Sequence, residues 1–239
     1  MGMFLSMTSV VGKGQEAVAG SLANYMQSAG GGLAKEELPL RDEHCFVILE
    51  ENGNTSIFHS FDFMEWDEAS TFISKDLATP VFSFHIHDGD LWMYNLFVNG
   101  VEVDRFNPLP DYWEENLDTE EIASWAGDAT VVAQYVPGLS PVAISNYLVR
   151  WDLESDGVEK AYEGDVYGQE DWQLLDFMRK LRLPYPLDEQ LKPLGDTYKG
   201  WTKELRIKIQ PPRKAATEVA SAPRVIVHAV AKKPWWKFW

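Results

Sequence analysis

The stretch PVFSFHIHDGDLWMYNLFVNGVEVDRFN, residues 80–107, decides the fold class. Three runs rich in apolar, β-branched and aromatic residues are punctuated by Asp88-Gly89 and Asn99-Gly100. Those dipeptides favour two-residue hairpin loops, so the stretch predicts a three-strand antiparallel meander. Two-residue loops also set the pairing. They place His87 opposite Asp90, His85 opposite Trp92, Tyr94 opposite Arg105 and Val98 opposite Val101. One face then collects Phe82, Phe84, Ile86, Leu91, Met93, Phe97 and Phe106, a core face. The other collects His85, His87, Asp90, Trp92, Tyr94 and Arg105.

Upstream, Met3 to Val11 reads as a strand, and Gln15 to Ser28 as a helix with Val18, Leu22, Tyr25 and Met26 on one side. Gly30-Gly31-Gly32 ends that helix. His44 to Glu51 and Thr55 to Phe61 form a hairpin around Asn52-Gly53-Asn54, and Asp67 to Leu77 is a short helix. Downstream the elements turn helical. Asp118 opens one helix and Asp128 caps another. Ser140-Pro141 starts a third, running to Asp152, and Glu170 to Leu181 is amphipathic. Strands followed by helices predict an α+β protein, mainly antiparallel sheet with a helical C-terminal half, rather than a repeating βαβ sheet.

The chain carries a formal net charge of -16 over 239 residues. Residues 210–239 depart from this acidity, with six basic residues against Glu218 alone. Their net of +5 leaves -21 on residues 1–209. This composition divides the chain into one acidic globular domain, 1–209, and a basic, Pro-containing, flexible extension, 210–239. The extension ends Lys232-Lys233-Pro234-Trp235-Trp236-Lys237-Phe238-Trp239. Lys232, Lys233, Trp235, Trp236, Lys237, Phe238 and Trp239 are therefore candidate interaction residues. They are suited to a membrane surface, to a partner, or to self-association with the acidic body.

An acidic body repels nucleic acid, so no nucleic-acid partner is expected for it, and it attracts basic proteins. The single cysteine, Cys45, sits in an apolar run and is read as a core residue of a cytoplasmic protein. His59 and Ser60 are adjacent but lack a nucleophile elbow, and Gly30-Gly31-Gly32 follows a helix rather than a strand. The acids from Asp111 to Glu121, with Tyr112 and Trp113, contain the residue types of a glycosidase pair but not its geometry. Two functions follow. The first is a non-enzymatic binding protein for a basic protein partner, without a cofactor. It resembles toxin-neutralising immunity proteins by analogy of properties rather than by sequence. The alternative is a metal-dependent hydrolase or oxygenase in which His85, His87 and Asp90 hold a divalent ion.

Overall fold

A computed structural model describes residues 4–37, 44–89, 91–113, 116–151, 160–163, 165 and 172–204. Asp90 and the C-terminal residues Lys232 to Trp239 lie outside the described residues. In chain order the elements are β1 (Leu5–Val10), α1 (Gln15–Ser28), β2 (Gly32–Lys35), β3 (Cys45–Glu51), β4 (Asn54–Phe58), α2 (Trp66–Leu77), β5 (Val81–His87), β6 (Leu91–Val98) and β7 (Val101–Phe106). There follow α3 (Thr119–Ala123), α4 (Ala129–Tyr135), a 3-10 turn (Pro141–Ala143), α5 (Trp172–Lys180) and β8 (Asp196–Trp201).

The α+β class predicted from the sequence is the architecture found. Among the described residues one eight-stranded sheet has the order β2-β8-β3-β4-β1-β5-β6-β7, with each neighbouring pair antiparallel. Both faces are covered. Helices α1 and α2 bury Val18, Leu22, Met26, Trp66, Ala69 and Ile73 against Val10, Phe46, Ile48, Ile57 and Val81. On the opposite face Leu174, Phe177, Met178 and Val132 pack on Met7, Val47, Phe82, Phe84 and Phe106. Strand β1, paired directly with the meander through β5, is buried along its whole length. Its polar side chains must therefore find partners inside. Thr8 Oγ1 lies 2.9 Å from His59 Nε2 and 2.7 Å from Ser70 Oγ, and Ser9 Oγ lies 2.7 Å from Ser56 Oγ.

Local chemistry explains the helix starts. Asp118 accepts from the Glu120 and Glu121 amides while Glu121 reaches back to the Asp118 amide, a capping box. Asp128 caps α4 by accepting from the Thr130 amide, without a reciprocal side-chain bond. The helix expected from Pro141 to Asp152 is corrected. Among the described residues of that range, 141–151, one 3-10 turn forms, followed by turns with i to i+3 hydrogen bonds at Tyr147 and Leu148. Ser, Asn and β-branched residues are weak helix formers, and here the turns carry Ile144, Tyr147 and Trp151 into the core. Strands β2 and β8 were not legible in the sequence, being short and without alternation.

The meander exists, but its register differs from the two-residue reading. His87 pairs with Leu91, His85 with Met93 and Phe84 with Tyr94, so three residues, 88–90, separate the strands. Asn99 and Gly100 do form a two-residue loop, both with positive φ, and Val98 faces Val101 as expected. A bulge then intervenes: Phe97 pairs with Glu102 but Leu96 with Asp104, leaving Val103 as the extra residue. Arg105 therefore pairs with Asn95, and Tyr94 with Phe106. Each one-residue slip exchanges the faces of the strand beyond it. The corrected core face carries Phe82, Phe84, Ile86, Trp92, Tyr94, Leu96 and Phe106. Leu91, Met93 and Phe97 move to the face of His85 and His87.

Two glycines, one before β8 and one within α1, carry opposite expectations. A Cβ on Gly195 would sit 2.1 Å from the Ile48 carbonyl oxygen, which is fixed backbone. Gly195→Ala is expected to destabilise the protein by about 1–3 kcal/mol in urea titrations. Gly20 is an exposed position within α1 with open space around it. Gly20→Ala is expected to stabilise by about 0.5–1 kcal/mol in the same assay, through helix propensity alone.

Candidate functional site

Four of the five histidines gather at one end of the sheet. That end holds the start of β1, the start of β3, and the ends of β4 and β5. The loop 59–65 closes over it. Ser60 Oγ donates to Asp62 at 2.5 Å and accepts from the His44 amide at 3.0 Å, while His44 Nδ1 stands 3.7 Å from Asp62. These contacts fix the loop and leave Phe61 at its crest.

Beneath the loop lies a cavity of about 290 Å³ lined by Phe4, Leu5, Ser6, Phe61, Phe63, Met64, Trp66 and His85. Its size is at the lower edge of the range for small-molecule pockets, about 300–1,000 Å³, and suits one large side chain. Phe61 is 54% exposed and Phe4 38% exposed, so the cavity has an aromatic mouth. The Trp66 indole stacks on the His85 ring at 4.9 Å and 7° and forms its floor. His87 continues the cluster, edge-on to Phe4 at 4.8 Å and to Trp113 at 4.9 Å, with Tyr112 at 5.9 Å.

Behind the Trp66–His85 pair is a second, polar cavity of about 20 Å³, room for one water, with Asp67, Ser83, Asn95 and Trp125 among its walls. Burial pushes the Asp67 carboxyl up to about 6, opposed by the Ser83 hydroxyl and, more weakly, by the Asn95 amide. Burial also pushes His85 down to about 3, with a further push from His87, against a hydrogen bond to the Leu5 backbone. His59, with 1% of its surface exposed, is pushed down to about 3 by burial alone. Both histidines are therefore neutral at pH 7. Burial first, and then Glu65, Glu68 and Glu204, raise the Tyr25 hydroxyl, and the Tyr25 ring lies edge-on to Phe63 of the cavity lining at 6.4 Å.

The structure brings together only part of the set expected from the sequence. His85 and His87 share the aromatic site, with ring centroids 6.4 Å apart. Trp92 and Tyr94 lie on the opposite face. There Trp92 Nε1 donates to Gln173 at 2.7 Å, Tyr94 donates to Asp104 at 2.7 Å, and both rings pack on Phe177. Arg105 lies over Trp125 at 4.2 Å, not over Tyr94, and donates to Ser124. The ring stacked on His85 is Trp66, not Trp92. Asp90 lies outside the described residues. Among the described residues no group of three or more His, Cys, Asp or Glu side chains is placed to hold a metal ion.

Other sequence motifs resolve into structural roles. His59 bonds Thr8 within the core while Ser60 bonds Asp62, so the neighbours act apart. Asp111 pairs with Arg150 at 2.7 Å, and Asp118 and Glu121 cap α3. Cys45 is a buried free thiol. No described helix is long and apolar enough to cross a membrane. Sequence reasoning missed Phe4, Phe61, Phe63, Met64 and Trp66. The signal available was the apolar density of 58–66, FHSFDFMEW, in a connection that a solvated loop would fill with polar residues. Comparison with protein-family models, with curated proteins and with solved structures found no match.

The neutral histidines make stability pH-dependent in a definite direction. Between about pH 6.5 and 3, unfolding lets His59 and His85 each take up a proton. Asp67 opposes them by releasing one between about pH 6 and 3.8. Their sum removes stability as pH falls. His59→Asn is expected to flatten the pH dependence of urea unfolding by about one proton between pH 6 and 4, relative to the unmodified chain. An unchanged slope would show that His59 is not held neutral.

Proposed function

We propose that the protein is a non-enzymatic binding module that recognises a basic protein partner through the aromatic cavity under the loop 59–65. The observation that carries this reading is the open apolar cavity with Phe4 and Phe61 exposed at its mouth. Exposed aromatics around a cavity have the composition of an interface anchor site, where one large side chain supplies most of the binding energy. The carboxylates of Glu65, Glu68 and Glu204, which act on Tyr25 behind the lining residue Phe63, supply the complementary charge for a cation near that anchor. The -21 carried by residues 1–209 adds long-range attraction for the same partner. A cytoplasmic partner with a Lys- or Arg-flanked aromatic or aliphatic residue fits both features.

The test is capture of cationic proteins on the immobilised full chain, read by mass spectrometry at about 50 mM and 500 mM salt. Exposed attraction is screened within a Debye length of about 10 Å at 0.1 M. Binding is therefore expected to fall at least tenfold at high salt. Phe61→Ser removes the mouth aromatic at a half-exposed position, where the cost to folding is small, and is expected to lower capture at least fivefold. Capture that ignores both salt and Phe61 would refute this assignment.

A further inference from the structure

We infer that the cavity under the loop 59–65 is also the docking site of the chain's own C-terminal octapeptide, Lys232 to Trp239. This rests on the reading of the cavity as a recognition site for a basic segment with a large apolar side chain. The octapeptide has that chemistry: Trp235, Trp236, Phe238 and Trp239 interleaved with Lys232, Lys233 and Lys237.

Topology places the chain's exit beside the cavity. Strand β8 runs antiparallel to β3 with Lys199 opposite Cys45, and the Gly200 amide bonds to the His44 carbonyl. Its last residue, Trp201, is therefore at the same end of the sheet as Ser60, Leu5 and His85. Strands β8 and β1 are separated by three strand spacings, about 14 Å. Glu204, the last described residue, acts with Glu65 and Glu68 on Tyr25, whose ring contacts Phe63 of the cavity lining, so the chain leaves the described fold close to the cavity.

Length does not limit the contact. The residues between Glu204 and Lys232 span up to roughly 90 Å when extended, against a radius of gyration of about 16 Å for a 200-residue domain. Tethering a ligand through a flexible linker of modest length gives it an effective concentration of roughly millimolar, so even a contact with millimolar intrinsic affinity is well populated. Charge acts in the same direction, +5 on residues 210–239 against -21 on the rest. The docked octapeptide competes with an external basic partner, which must displace it.

Disulfide trapping in the full chain tests this. The native Cys45 is fully buried and does not interfere. Glu68→Cys combined with Phe238→Cys places one thiol on the rim and one in the octapeptide. Val142→Cys with Phe238→Cys is the control, since Val142 is 80% exposed and lies two residues before Ile144, which packs in the opposite layer. In a glutathione redox buffer at low micromolar protein, the rim pair is expected to close within one molecule at least tenfold faster than the control. Adding Phe61→Ser, or Trp235→Ala with Trp236→Ala, is expected to lower that rate at least fivefold. Equal rates for rim and control, or rim disulfides formed only between molecules, would overturn the proposal. So would equal rates accompanied by octapeptide-dependent sedimentation with phosphatidylcholine–phosphatidylglycerol vesicles. The two readings fail separately. Loss of cationic-protein capture on Phe61→Ser without preferential trapping removes self-docking alone. Preferential trapping with capture insensitive to Phe61 removes the external partner alone.

Discussion

The pairing of His87 with Leu91 across the residues 88–90 is the constraint on which both faces of this protein depend. In a strand every side chain is committed to one face, so one extra residue in a turn exchanges the whole set. Here the exchange sends Trp92 and Tyr94 under α5, where Phe177 packs against both. It leaves His85 and His87 on the other face, with Met93 and Leu91 opposite. The Val103 bulge makes a second exchange one strand later. It points Phe106 into the core beside Tyr94 and turns Arg105 to Trp125.

With both sheet faces covered, polar groups in the central strands have no water to turn to. Thr8, His59 and Ser70 satisfy one another across β1, β4 and α2, and each is almost wholly buried. A positive charge on His59 there would lack solvation, which is why burial holds that ring neutral. The same physics limits what the histidines can do. His85 is enclosed between the Trp66 ring and the polar cavity at Asp67, and its face serves as an aromatic surface. The sheet end thereby presents an aromatic cavity with Phe4 and Phe61 exposed at its mouth.

Much of the fold was legible. Helix α1 has the bounds its apolar spacing indicates, Asp118 and Asp128 cap as their positions suggest, and both Asn-Gly turns sit where their positive φ requires. Strands β2 and β8 were not, because each is short and joins the sheet through backbone hydrogen bonds from distant parts of the chain. The site was half legible. His85 and His87 stood out as paired histidines on one strand face. Their neighbours Phe4, Phe61, Trp66 and Trp113 come from three other stretches of the chain, and no local periodicity links them to the histidines.

What the sequence determined by itself was local: helix and turn chemistry, an antiparallel α+β class, and the charge contrast between residues 1–209 and 210–239. Those properties depend on neighbours within a few residues, or on composition alone. Tertiary structure decided which face each residue of the meander joins and which aromatics surround His85. A three-residue turn and a single bulge are nearly silent in the sequence, yet each inverts the faces of the strand that follows. The cavity exists because the 59–65 loop, β1 and β5 end at the same edge of the sheet, a coincidence that only the folded chain creates.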